Sequence, residues 1–160
     1  MSNPFATPDM LGARATIPLV EGDVKLSISA VKPFLRKDND DNPKNWGPRY
    51  TLVVKEHSDE SIVGSNIPQE FYLHTPDTLG FTKRFLMMAL GFENTPAGEK
   101  EYNEQYEEDP EAFAFDPTAE PAILGKAYQD AVGNLIEATG NPQLQDDGSK
   151  RNNFAWRVVG

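Results

Sequence analysis

From Val24 the chain alternates. Val24, Leu26, Ile28 and Ala30 interleave with Lys25, Ser27, Ser29 and Val31, the period of two that marks a half-buried strand, here running to Phe34. The first set is expected to face a core and the second a solvated or ligand-binding surface. Arg36 to Gly47 is polar apart from Trp46 and reads as a loop. Arg49 to Glu56 alternates again, with Tyr50, Leu52 and Val54 opposite Arg49, Thr51, Val53 and Lys55. A turn region covers His57 to Gly64. A third strand follows over Ile67 to Thr75, with Phe71 and Leu73 opposite Glu70, Tyr72 and His74. The period then lengthens. Leu79, Phe81 or Thr82, Phe85, Leu86, Met88, Ala89 and Leu90 form the stripe of a helix capped by Asp77 or Thr78 and stopped at Gly91. Apolar patterning resumes at Ala122. Leu135 to Thr139 and Phe154 to Val159 read as closing strands.

This order predicts a mainly β (α+β) chain: a five-stranded OB-type barrel with one helix between strands 3 and 4. In such a barrel the helix plugs one end, which gives an apolar-striped helix at this point in the order a physical role. Residues 1–15 read as a flexible N-terminal arm, because Pro4, Pro8 and Gly12 interrupt any period. Residues 16–160 read as one OB-like domain, with 93–121 a long acidic insert. The first residues have neither a basic head nor an apolar stretch, so no secretory signal is expected. No run approaches a membrane span.

Charge changes the picture. The formal net charge is −10, which taken alone argues against a polyanionic partner. Yet Glu93 to Glu120 holds ten acids and one base, Lys100, so nearly all of the excess sits in that segment. Val24 to Lys55 instead carries +4, from seven bases against Asp38, Asp40 and Asp41. Segregation of this kind suggests a cationic site and an acidic segment that either acts on it or keeps the chain soluble.

Catalytic chemistry finds little support. The chain has no cysteine, which removes a thiol nucleophile, a disulfide framework and Cys-ligated metals. His57 and His74 stand seventeen residues apart outside any enzyme motif, and no phosphate loop or Gly-x-Ser-x-Gly occurs. Asp38-Asn-Asp40-Asp-Asn42 starts like a calcium loop, but Pro43 and Pro48 break the pattern that such a loop requires. No enzyme activity, cofactor or metal is expected.

Single-strand binding needs flat rings for bases and a cationic track for phosphates. Trp46 lies in a polar loop between Lys44 and Arg49. Tyr72 and His74 share a strand face, as do Arg49 and Lys55. Phe34 adjoins Lys32, Arg36 and Lys37, and Lys25 extends the basic stretch. The candidate nucleic-acid-binding residues are therefore Lys25, Lys32, Phe34, Arg36, Lys37, Trp46, Arg49, Lys55, Tyr72 and His74. Core roles compete for Trp46 and Phe34. Phe154 and Trp156 read as core, and Lys83 and Arg84 as a solvated helix face.

Three groups of residues carry a resemblance: Trp46-Gly47-Pro48-Arg49-Tyr50; Phe71-Tyr72-Leu73 with the helix ending Phe85-Leu86-Met87-Met88-Ala89-Leu90-Gly91-Phe92; and Leu124-Gly125-Lys126 with Asp147-Gly148 and Asn152-Asn153-Phe154. Together, over roughly residues 20 to 92 and 122 to 160, the chain resembles phage-encoded OB-fold single-stranded DNA-binding proteins. The resemblance implies single-strand binding in phage DNA replication or recombination, in the cytoplasm of an infected bacterial host cell. Better-known single-strand binders carry their acidic segment as a C-terminal tail, whereas here it is internal. Glu99 to Asp116, interleaved with Tyr102, Tyr106, Phe113 and Phe115, imitates phosphates and bases. It is expected either to fill the DNA groove or to dock replication or recombination proteins. Self-association as a homo-oligomer fits the same reading. The competing class is a non-enzymatic virion structural or protein-adaptor module.

Overall fold

A computed structural model describes residues 17–159. The proposed arm over residues 1–15 lies outside the described residues. The long strands β1 (Gly22–Lys37) and β2 (Pro43–His57) form an antiparallel hairpin. β3 (Asn66–Glu70) pairs with the far side of β2. Helices α1 (Pro76–Ala89) and α2 (Pro96–Glu108) follow, then the two-residue strands β4 (Phe115–Asp116) and β5 (Ile123–Leu124) and the short helix α3 (Lys126–Asp130). β6 (Leu135–Gly140) returns to pair with β1. The small β7 (Gln143–Leu144) and β8 (Lys150–Arg151) hairpin leads into β9 (Phe154–Arg157). The main sheet has five strands in the order β3-β2-β1-β6-β9, with every pairing antiparallel. Among the described residues no helix is long and apolar enough to cross a membrane.

The expected barrel is not closed. β3 and β9 are the two edges of the sheet. Both are short, and Pro68 removes a backbone donor from β3. The edges are bridged by rings instead of a ladder. Trp156 of β9 lies 6.0 Å from Phe71, the residue after β3, and 4.9 Å from Phe85 of α1. Phe71 and Phe85 stack at 4.0 Å. Phe154 and Trp156, read from sequence as core, are half-buried and pack against it.

The predicted Arg36–Gly47 loop shrinks to a turn over residues 38–42. Asp38 Oδ1 accepts from the backbone of Asp40 and of Asn42, each at 2.9 Å, and Asp41 takes a left-handed φ of 65°. Polar content hid the strands on either side, because cross-strand pairing here does not depend on apolar side chains. The third strand ends at Glu70, short of the predicted Thr75. After Glu70 the chain keeps only isolated bonds to β2, from Phe71 N to Pro48 O and from Leu73 N to Trp46 O.

A bulge in β1 sets which side chains face outward near the turn end of the hairpin. Ile28 pairs with Leu52 but Ala30 with Thr51, so Ser29 is an extra residue in β1. Val24, Leu26 and Ile28 are buried, whereas beyond the bulge it is Val31 that packs on the core and Ala30 that is exposed. The alternation drawn from the sequence therefore changes phase at Ser29.

The core joins these strands to Ile67, Ile136, Ala138 and the inner face of α1. Fully burying a side chain such as Leu26 or Phe85 is worth ~1.5–3 kcal/mol. A capping box between Thr75 and Thr78 starts α1, and Gly91 at φ 93° ends it. Asn134 Nδ2 donates to Ala89 O at 2.9 Å, tying the helix end to the β6 approach.

The acidic insert is folded and carries helix α2, which corrects the expectation of one helix between the third and fourth strands. Its helix α2 was hidden by low apolar content: Gly98 and Tyr102 are the buried residues of its length. Tyr102 sits between Phe92, at 6.0 Å, and Phe113, at 5.2 Å. Lys83 of α1 ion-pairs with Glu99 at 3.0 Å. A relay then reaches the core: Tyr128 Oη donates to Phe113 O at 3.2 Å, and Tyr50 Oη donates to Tyr128 O at 2.8 Å.

Burial raises the phenol pKa of Tyr50 and Tyr102, and pushes that of Tyr128 up to about 12. An unfolded tyrosine ionises near pH ~10. The folded state therefore holds these three protons more tightly. The stability this gives is intact below pH ~10 and is lost as pH rises toward ~12 and beyond. In a Tyr72→Phe, Tyr106→Phe background, phenolate absorbance is expected to appear together with the loss of circular dichroism. Phenolate growing in while the dichroism persists would contradict it.

Candidate nucleic-acid interface

The bulge at Ser29 builds the outer face. Without it Phe34 would share the parity of Val24, Leu26 and Ile28. With it, Lys32 lies opposite Arg49, Phe34 opposite Gly47 and Arg36 opposite Asn45. Arg49 in turn lies opposite Glu70 of β3, so Lys32, Arg49 and Glu70 form one row across three strands. Gly47 has room for no side chain: an added Cβ would lie 1.7 Å from Phe71 O and 3.1 Å from Tyr72 Cα. The chain leaving β3 crosses closely over this glycine, and the crossing sets the Tyr72 ring 5.5 Å from Phe34, edge to face. Tyr72 lies 5.6 Å from His74, and His74 lies 5.8 Å from Trp46. The Arg36 guanidinium rests 4.9 Å above Phe34 and binds Glu70 Oε2 at 2.5 Å. That hydrogen bond and the Glu70 charge hold Arg36 still more firmly protonated.

A cleft of about 940 Å³ opens between the β3 edge, the outer side of α1 and the β8–β9 segment. It occupies the place where the sheet fails to close. Arg36, Arg49, Arg84, Lys150 and Arg151 line it, and Glu70 is its only acid among the described residues. In a chain of net charge −10 this is a marked local reversal. No described carboxylate ion-pairs with Arg49, Arg84, Lys150 or Arg151.

The cleft also offers rings. Tyr72, Phe154 and Trp156 contribute to its walls, and Phe81 is 65% exposed with Arg84 5.6 Å from its centroid. Phe81 stands outside because Thr82 takes the inward position, where its hydroxyl donates to Tyr72 O at 2.7 Å. The α1 stripe otherwise follows the expected one through Phe85, Leu86, Met88 and Ala89, while Leu79 at its start is exposed. Asn152 steadies the far rim. Its amide accepts from Val20 N at 2.8 Å and donates to Pro18 O at 3.0 Å.

The ten residues proposed from sequence divide into groups. Lys32, Phe34, Arg36, Trp46, Arg49, Tyr72 and His74 gather at one end of the β1–β2 hairpin, and Arg36, Arg49 and Tyr72 also line the cleft. Trp46 is half-buried opposite Leu35, on the parity of Pro48 and Tyr50, and meets His74 rather than the cleft. Lys37 ion-pairs with Asp41 at 3.5 Å beside the turn. Lys25 pairs with Glu56 at 3.3 Å at the opposite end of the hairpin, where Lys55 also lies. Seven residues of strand separate Lys25 from Lys32, roughly 23 Å, so these two lysines do not join the cluster.

Sequence reasoning passed over Phe81, Arg84, Lys150 and Arg151. A usable signal existed for two of them: the Lys150-Arg151 pair stands one residue after the Asp147-Gly148 turn. The acidic insert stays off the cleft. Of residues 93–121, only Asn94 lines it among the described residues. Among the described residues no group of three or more His, Asp or Glu is placed to hold a metal. In comparisons with known proteins, no family model matches the chain, and no curated protein does.

Proposed function

We propose that this protein binds single-stranded DNA in the cleft between β3, α1 and β9, without catalysis. The observation that carries the proposal is the gathering of five cations and several accessible rings in one groove of an otherwise acidic protein. Rings along a cationic track suit bases that are free to splay and stack, which a duplex does not offer. Cations facing a single carboxylate suit a chain of phosphates. The strand order supports the OB-type reading: joining β3 to β9 would close a five-stranded barrel with α1 over one end. On that reading the protein serves phage DNA replication or recombination inside an infected bacterial cell, and the α2 surface is free to meet partner proteins.

A titration tests this. Oligo-dT and a duplex of equal length are added at two salt concentrations, with tryptophan fluorescence as the signal, since Trp156 lines the cleft. Tight binding of the single strand is expected at low salt. Its log affinity should fall by about 0.7 per log unit of salt for each phosphate held. Absence of binding at low salt, or equal binding of the duplex, would overturn the proposal. The adaptor reading draws on the exposed Ile17, Leu19 and Phe81 at the cleft. It predicts self-association that is insensitive to salt, with no response to oligonucleotide.

A further inference from the structure

We infer that Glu70 is a built-in competitor for a strand phosphate, occupying Arg36 in the free protein and limiting how tightly the cleft holds a nucleic acid; this rests on the single-strand reading above. Glu70 is the sole acid among the described residues lining the cleft. It does not simply face solvent, since its side chain is 22% exposed against 48% for Arg36. One carboxylate oxygen takes the Arg36 guanidinium at 2.5 Å, and the other accepts from Tyr72 Oη at 3.4 Å. A guanidinium grips carboxylate and phosphate with the same fork of donors, so a phosphate arriving at Arg36 must displace Glu70. The displaced carboxylate would then lie half-buried next to a phosphate, a like-charge contact that opposes binding.

The arrangement also reaches the rings. Arg36 lies over Phe34 and Glu70 touches Tyr72, while Phe34 and Tyr72 meet edge to face. The carboxylate therefore holds a cation and two rings in one closed set until a strand opens it. The cleft's other four cations have no such competitor among the described residues, so they supply first capture and Arg36 the contact made last.

The test compares single and double variants for single-strand affinity, with oligo-dT as the probe. Glu70→Gln keeps the size of the side chain and removes its charge. It is expected to tighten binding on the order of tenfold at low salt and to steepen the salt dependence by about 0.7, one added phosphate. Arg36→Gln combined with Glu70→Gln is expected to return both quantities close to wild type, because the gain needs a freed Arg36. Glu70→Ser gives an independent removal of the charge, and thermal melting confirms that each variant is folded. Unchanged or weaker binding in folded Glu70→Gln and Glu70→Ser, with the wild type still binding, overturns the competitor role and leaves the single-strand reading standing. A gain that survives the loss of Arg36 overturns it too. Failure of the wild type to bind removes both.

Discussion

Replacing Gly47 with alanine is expected to destabilise the fold by about 3 kcal/mol or more, lowering the melting temperature by roughly 10 °C. The added methyl carbon would sit 1.7 Å from Phe71 O and 2.8 Å from its carbonyl carbon. Backbone lies on the other side of this contact, so no rotamer change relieves it. Relief requires lifting the Phe71–Tyr72 segment away from β2. That segment donates from Phe71 N to Pro48 O at 3.0 Å and from Leu73 N to Trp46 O at 2.8 Å. It also sets Phe71 against Phe85 and Trp156, the rings that bridge the open edges of the sheet. The strain thus falls on the joint between the sheet, α1 and β9. Gly80→Ala is the natural control: it lies in α1 with nothing within 4 Å of an added Cβ. A gain of up to about 1 kcal/mol from helix propensity is expected there. Thermal melts of the two variants check the contrast, and Gly47→Ala melting with the wild type would contradict the close crossing.

Removing the four cleft cations that ion-pair with no described carboxylate should have the largest effect on binding. Arg49→Gln, Arg84→Gln, Lys150→Gln and Arg151→Gln combined are expected to weaken single-strand affinity on the order of a hundredfold or more at low salt. Each of the four lines the cleft, and none ion-pairs with a described carboxylate. Their removal therefore breaks no salt bridge among the described residues, and the melting temperature should move little. Lys25→Gln with Lys55→Gln removes two cations at the far end of the hairpin and should leave affinity nearly unchanged. The contrast separates a localised site from a general attraction of lysines and arginines for DNA.

How much of this was legible in the sequence depends on which forces set each element. The β2 alternation of Tyr50, Leu52 and Val54 is set by burial, and burial leaves a pattern in residue types. The same holds for the α1 residues Phe85, Leu86 and Met88. The Ser29 bulge is set by backbone register, which no residue type announces, so Val31 and Ala30 exchanged their expected faces. Spacing allowed either Phe81 or Thr82 on the inner face of α1; Thr82 takes it, with its hydroxyl on Tyr72 O, and Phe81 is left exposed. The helix α2 was missed because a surface helix held by Tyr102 and one ion pair carries little apolar signal. The cleft itself is made by two edges that lie far apart in sequence. Arg49 and Tyr72 were visible as candidates from local composition. Lys150 and Arg151 join them only when β6 and β9 bring the end of the chain back to the sheet.

On the proposed reading, the cations of the cleft hold a chain of phosphates. The salt dependence of oligo-dT affinity, measured side by side for the wild type and the four-cation variant, decides it. The slope of log affinity against log salt should be shallower in the variant by about 3, close to 0.7 for each of the four lost contacts. Equal slopes in the two proteins would place the strand elsewhere and overturn binding in the cleft.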